Sequence, residues 1–174
     1  MMYGCDNKNQ NHVTKESGKI LVAYFSCTGN SKGVAKIVAS ETNGDLYEIV
    51  PKIPYTDADL DYDNSNSRAT KEQKDDTARP EIKGKKLAIS QYDTIIVTTP
   101  LWWGDAPRIM CTFLESYDFT GKTLIPVCTS HSSEPSGVEK RMHSVCKSKV
   151  TWKPIKRFPS NFSEKEVKEW VKSW

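Results

Sequence analysis

Two hydrophobic periods alternate along this chain. From Ile20 to Phe25 every residue is apolar and suited to β-structure, and the run stops at the polar stretch Ser26-Cys27-Thr28-Gly29-Asn30. That is the pattern of a strand buried on both faces. Directly after it, Val34, Ile37 and Val38, with Ala35 and Ala39 beside them, recur at helical spacing, and Asn43-Gly44 supplies a stop. Leu46 to Val50 predicts a second strand ended by Pro51, and Thr94 to Thr99 a third, centred on Ile95, Ile96 and Val97. Pro107 suits a helix start, and Ile109, Met110, Phe113 and Leu114 continue the helical stripe. Lys122 to Thr129 predicts a fourth strand, weakened by Pro126, which removes a ladder donor. The pattern then predicts a short helix over Val138 to Cys146 and a last strand over Val150 to Ile155. A terminal helix over Ser163 to Trp174 follows, with Ser163 and Glu166 spaced as a capping box.

Strands alternating with helices, and buried on both faces, predict an α/β domain with a doubly wound parallel sheet of five strands in the order 2-1-3-4-5. Between the second and third strands, Pro54 to Pro80 is dense in Asp, Asn, Ser, Lys and Arg. It reads as solvated, partly ordered surface without regular elements. Lys86 to Ser90 predicts a helical turn or a weak strand. Residues 1–18 lack periodicity and read as a flexible tail, leaving 19–174 as the domain.

Composition narrows the function. Of the 174 residues, 37% are hydrophobic and 27% charged, and no apolar run approaches the roughly 20 residues of a membrane-spanning helix. A formal net charge of +3, spread along the chain, excludes the basic stripe of a nucleic-acid binder. The five cysteines lack a C-x-x-C pair, so they read as reduced, structural thiols of a cytoplasmic protein. Met2-Tyr3-Gly4-Cys5 is similar to the end of a bacterial lipoprotein signal without its apolar region. A truncated start would put a lipid anchor at Cys5 and the protein in the bacterial envelope.

In a doubly wound sheet, ligands bind at the carboxyl ends of the strands, and three loops there carry chemistry. The first places Ser26, Thr28, Gly29, Asn30 and Ser31 at a helix start, a natural seat for phosphate. Lacking both the G-K-S/T lysine and a G-x-G-x-x-G run, it suits a single terminal monophosphate; the bland reading is an ordinary capping loop. The second, Pro100-Leu101-Trp102-Trp103-Gly104, offers adjacent tryptophans to a flat ring, with at least one of them expected in the core. The third runs through Thr129, Ser130 and His131; His131 is either a tuning group at a ring edge or a solvated loop histidine. Cys27, at a helix amino terminus, would have its thiol pKa lowered.

S-x-T-G-N-S after the first strand and P-L-W-W-G-D-A-P after the third resemble the FMN loops of the flavodoxin-like family. The resemblance covers most of residues 19 to 174. It extends to a bacterial subgroup with a long polar connection after the second strand. It implies FMN as cofactor, with Ser26, Thr28, Gly29, Asn30 and Ser31 on the phosphate. Pro100 to Gly104 and Thr129 to His131 would then surround the isoalloxazine, with Trp102 or Trp103 stacked on it. It further implies a peptide at Gly104 and Asp105 that turns its carbonyl toward the ring on reduction. The third loop departs from the family pattern, since glycine arrives only at Gly137.

Three functions follow. One is an electron carrier working with a redox partner protein or a small-molecule donor or acceptor. Another is an NAD(P)H-dependent FMN reductase acting on quinones or similar acceptors, a reading favoured by a pI near 8.5 where flavodoxin carriers are acidic. The last is a flavodoxin-shaped binding module without tight flavin binding.

Overall fold

A computed structural model describes residues 18–174; the tail and the lipid-anchor site at Cys5 lie outside the described residues. The sheet is parallel and ordered β2-β1-β3-β4, with a divided fifth position. Its strands are β1 (Lys19–Tyr24), β2 (Asp45–Glu48), β3 (Tyr92–Pro100) and β4 (Thr123–Thr129). The short β5 (Thr151–Trp152) and β6 (Lys156–Phe158) both run parallel to β4. Five helices connect them: α1 (Asn30–Thr42), α2 (Arg68–Lys74), α3 (Arg108–Glu115), α4 (Ser136–Val145) and α5 (Glu164–Lys172).

The strand pleat sorts the core into two layers. Leu21, Ala23 and Phe25 of the first strand and its end face α3 and α4 with Ile109, Met110, Phe113 and Met142. Val22 and Tyr24 face α1 and α5 with Val34, Val38 and Val167. Ser163 caps α5 in the expected reciprocal bond with Glu166.

Two expectations are corrected. The last strand is not continuous over Val150 to Ile155: β4 pairs with β5 at Thr123 and Leu124 and with β6 from Val127 to Thr129. Pro126, which lacks an N–H, falls in the gap, where a central-strand proline costs least. The stretch from Pro54 to Pro80 is ordered rather than irregular. It holds a 3-10 turn at Ala58–Leu60 and α2, whose cap Ser67 accepts from the Thr70 N–H, and it buries Ser67, Ala69 and Thr70. Lys86 to Ser90 yields a 3-10 turn at Ile89–Gln91.

Candidate functional site

The carboxyl ends of β1, β3 and β4 open on a cleft of about 210 Å³. Ser26, Thr28, Asn30 and Ser31 line it from the first loop, Pro100, Leu101 and Trp102 from the second, and Thr129, Ser130 and His131 from the third. Ten of the thirteen residues singled out in the sequence therefore meet in one place. Gly29, Trp103 and Gly104 lie in the same loops but outside the lining.

Gly29 initiates α1 with φ +96°, a left-handed conformation that glycine adopts without strain, and no side chain caps the helix. The Gly29 N–H donates to Ser26 Oγ (3.1 Å), while the N–H groups of the first helical turn have no intrahelical acceptor. An uncapped amino terminus framed by hydroxyls fits an anion. Ser31 is buried, and its hydroxyl meets that of Thr129 at 2.7 Å, tying the first loop to the third. The neighbouring Cys27 thiol is exposed at the surface, yet desolvation by the surrounding loops pushes its pKa up to about 11, against the partial lowering by Arg68. The expected lowering by the helix is overturned, and Cys27 stays a thiol.

The two tryptophans divide their roles. Trp102 is 2% exposed and packs edge-on against Phe25 and Tyr55, at 5.5 and 5.4 Å between ring centroids. Trp103 is 43% exposed and lies 4.6 Å from the ring of Tyr62. They belong to a tight turn in which the Trp102 N–H donates to the Asp105 carbonyl (2.9 Å) and the Asp105 N–H to the Trp102 carbonyl (3.0 Å). Its central residues, Trp103 and Gly104, have φ of +50° and +74°. Glycine tolerates this conformation, whereas a tryptophan there is strained.

Asp105 anchors the turn. Its carboxylate accepts from Arg141 (2.8 Å), Arg108 (3.2 Å) and the Ala106 N–H (2.7 Å). Burial raises its pKa, but the Arg141 and Ala106 hydrogen bonds and the two guanidinium charges outweigh that and hold the carboxyl below its usual range. Arg108 is fully buried and also donates to the carbonyls of Gln73 and Asp75 at the end of α2. Gln73 Nε2 reaches the Trp102 carbonyl at 3.0 Å. The polar segment is thereby fastened to the tryptophan turn, and it sends Leu60 and Tyr62 into the cleft lining.

The peptide at Gly104 and Asp105, expected to rotate, has its N–H engaged inside the turn on the Trp102 carbonyl, and its carbonyl oxygen lies beside Gly137, where an added Cβ would stand 1.9 Å from it. Gly137 thus serves the first turn of α4 against this loop and is not part of the cleft lining.

Sequence reasoning missed Leu60, Tyr62, Gln73, Arg108, Arg141 and Ser160. The alternation of charged and small residues before α2 masks Leu60 and Tyr62. Arg108 opens α3 on the side away from the apolar stripe, against the end of α2, so helical periodicity carries no signal for its burial.

The family model described as flavodoxin matches residues 19–174. A protein from Bacteroides uniformis classed as a candidate flavoprotein is 43% identical, with a TM-score of 0.85 over 89% of this chain and 98% of that one. One from Bacteroides eggerthii is 39% identical, with a TM-score of 0.81 over 89% and 96%. A flavoprotein from Lactobacillus acidophilus, solved in complex with FMN, is 22% identical, with a TM-score of 0.69 over 88% and 99%.

Proposed function

The chain belongs to the flavodoxin family, and from that premise we propose that it binds FMN in the three-loop cleft and works as an electron-transfer flavoprotein. The observation that carries this reading is the convergence of an uncapped, hydroxyl-framed helix start with a tryptophan turn on one cleft. The FMN held by the Lactobacillus acidophilus protein supports the choice of flavin.

Ser26, Thr28, Asn30 and the first N–H groups of α1 would hold the phosphate; Ser31, already bonded to Thr129, shapes the loop. The flavin, when bound, supplies the redox chemistry, and the protein sets binding and local charge. A volume of about 210 Å³ is below the roughly 300 Å³ at which small-molecule pockets begin. The phosphate end therefore suits the cleft as it stands, and the ring would displace the Tyr62–Trp103 contact at the rim. Trp103, being exposed, is the stacking residue in this reading, and Trp102 is core.

A second reading, an NAD(P)H-dependent FMN reductase, is favoured by the turn at Gly104 and Asp105: rotating that peptide would break the Asp105 N–H bond to the Trp102 carbonyl, which leaves two-electron transfer as the easier course. Both readings predict saturable quenching of FMN fluorescence by the purified protein, with weaker binding of riboflavin. Stepwise anaerobic reduction separates them: accumulation of half-reduced flavin indicates the carrier, and direct passage to the fully reduced form the reductase. Absence of saturable quenching would overturn both and leave a binding module whose ligand is not flavin.

A further inference from the structure

A cavity of about 450 Å³ shares no lining residue with the flavin cleft. It is built where the chain leaves β2. Segment 81–83 runs antiparallel to 50–52, with the Lys52 N–H on the Glu81 carbonyl (2.8 Å) and the Lys83 N–H on the Val50 carbonyl (2.7 Å). That pairing carries a run of lysines over the end of α3, where Lys86 Nζ reaches the Ser116 carbonyl at 3.4 Å.

The wall of this groove is aromatic. Tyr47 and Tyr117 are half-buried and both pack on Phe113, at 6.2 and 5.4 Å between centroids. Burial and the neighbouring Tyr117 push the Tyr47 hydroxyl up to about 12, so it remains a donor. The rim is cationic, with Lys52, Lys83, Lys85 and Lys86 set against a single carboxylate, Glu81. Glu81 is taken by Lys52 at 2.7 Å. No carboxylate among the described residues pairs with Lys83, Lys85 or Lys86. Three uncompensated ammonium groups on a chain of net charge +3 concentrate positive potential at this one concavity.

We infer that this groove is a nucleotide site, with a flat base against the Tyr47–Tyr117 wall and a phosphate or pyrophosphate among Lys83, Lys85 and Lys86. Lysines act on phosphate as point charges, rigid aromatic rings supply a stacking face, and the volume falls within the usual range for small-molecule pockets. An acidic peptide would use the lysines but would leave the aromatic wall without a flat partner.

The inference does not depend on flavin binding, and the test keeps the two apart. ADP is titrated calorimetrically at low salt into the full chain, with and without saturating FMN, beside pyrophosphate and adenosine alone. The expected result is saturable ADP binding, tighter than either fragment and unchanged by FMN. It should weaken roughly tenfold in Lys83→Glu/Lys85→Glu, as expected for reversing two exposed charges. Lys165→Glu/Lys172→Glu, the same charge change on α5, should leave it unaltered. No binding, equal loss in both double variants, displacement by FMN, or pyrophosphate binding as tightly as ADP would each overturn the nucleotide site.

Discussion

At the scale of single residues, the site rests on one strained tryptophan and one half-buried carboxylate. Trp103 holds a left-handed conformation that costs a bulky residue about 1 kcal/mol or more, and it is exposed beside Tyr62. Trp103→Gly is expected to raise the urea midpoint, by relieving about 1 kcal/mol of that strain, while weakening FMN binding measured by quenching. A fall in the midpoint with unchanged FMN affinity would remove Trp103 from the site. Asp105 shows its role through pH. Its carboxyl is held below the ordinary value by its arginine and backbone partners, so the pairing stabilises the fold above the unfolded carboxylate pKa of about 3.9. That contribution is lost as pH falls through the lower, folded value. The stability gap between the native chain and Asp105→Asn, followed by urea unfolding, should be large at pH 7 and shrink below about pH 4. A gap that stays constant with pH would mean that the carboxylate charge contributes nothing. Most of this was unreadable in the sequence, because a W-W-G-D run does not say which ring turns inward or which arginine arrives from α4.

At the scale of elements, strands and helices followed from periodicity, and their mutual fastenings did not. The stripe of Ile109, Met110, Phe113 and Leu114 predicts α3 and its buried face, and all four are buried. The same periodicity places Arg108 on the other side of α3, yet it is buried too, its guanidinium spanning from Asp105 to the end of α2. The fifth strand divides because its partner carries Pro126, and neither sequence alone specifies where the gap falls. The contact between α4 and the tryptophan turn is testable at Gly137. A Cβ there meets the backbone oxygen of Gly104 at 1.9 Å, which no rotamer change can relieve. Gly137→Ala should therefore cost about 1–3 kcal/mol in urea unfolding. It should also shift the emission of Trp102 or Trp103; an unchanged midpoint and spectrum would mean that the turn yields freely.

At the scale of the whole molecule, the charge of +3 averages over two regions of opposite sign. Asp57, Asp61 and Asp63 are exposed next to Leu60 and Tyr62 at the cleft, in a segment 54–67 without lysine or arginine. The lysines of the second cavity lie elsewhere, so the pI is a poor guide to what approaches the flavin cleft. Because the two cavities share no lining residue, FMN and ADP affinities should be independent when each is measured with the other ligand saturating. A mutual change beyond roughly twofold would reveal coupling through the intervening strands. No helix among the described residues is long and apolar enough to cross a membrane. The sequence by itself determined the alternation of elements, the two-layer core and the three loops of the cleft. Each of these depends on local periodicity or on residues adjacent in the chain. Tertiary structure alone decided that Trp102 is core and Trp103 rim, and that a polar segment orders into a 3-10 turn and a helix and sends Leu60 and Tyr62 into the cleft. It also decided that Arg108 and Arg141 converge on Asp105 and that a run of lysines meets Lys52 and two distant tyrosines. Those outcomes join positions far apart in the chain, and the free energy that selects them, shared burial and charge pairing, exists only once the layers have packed.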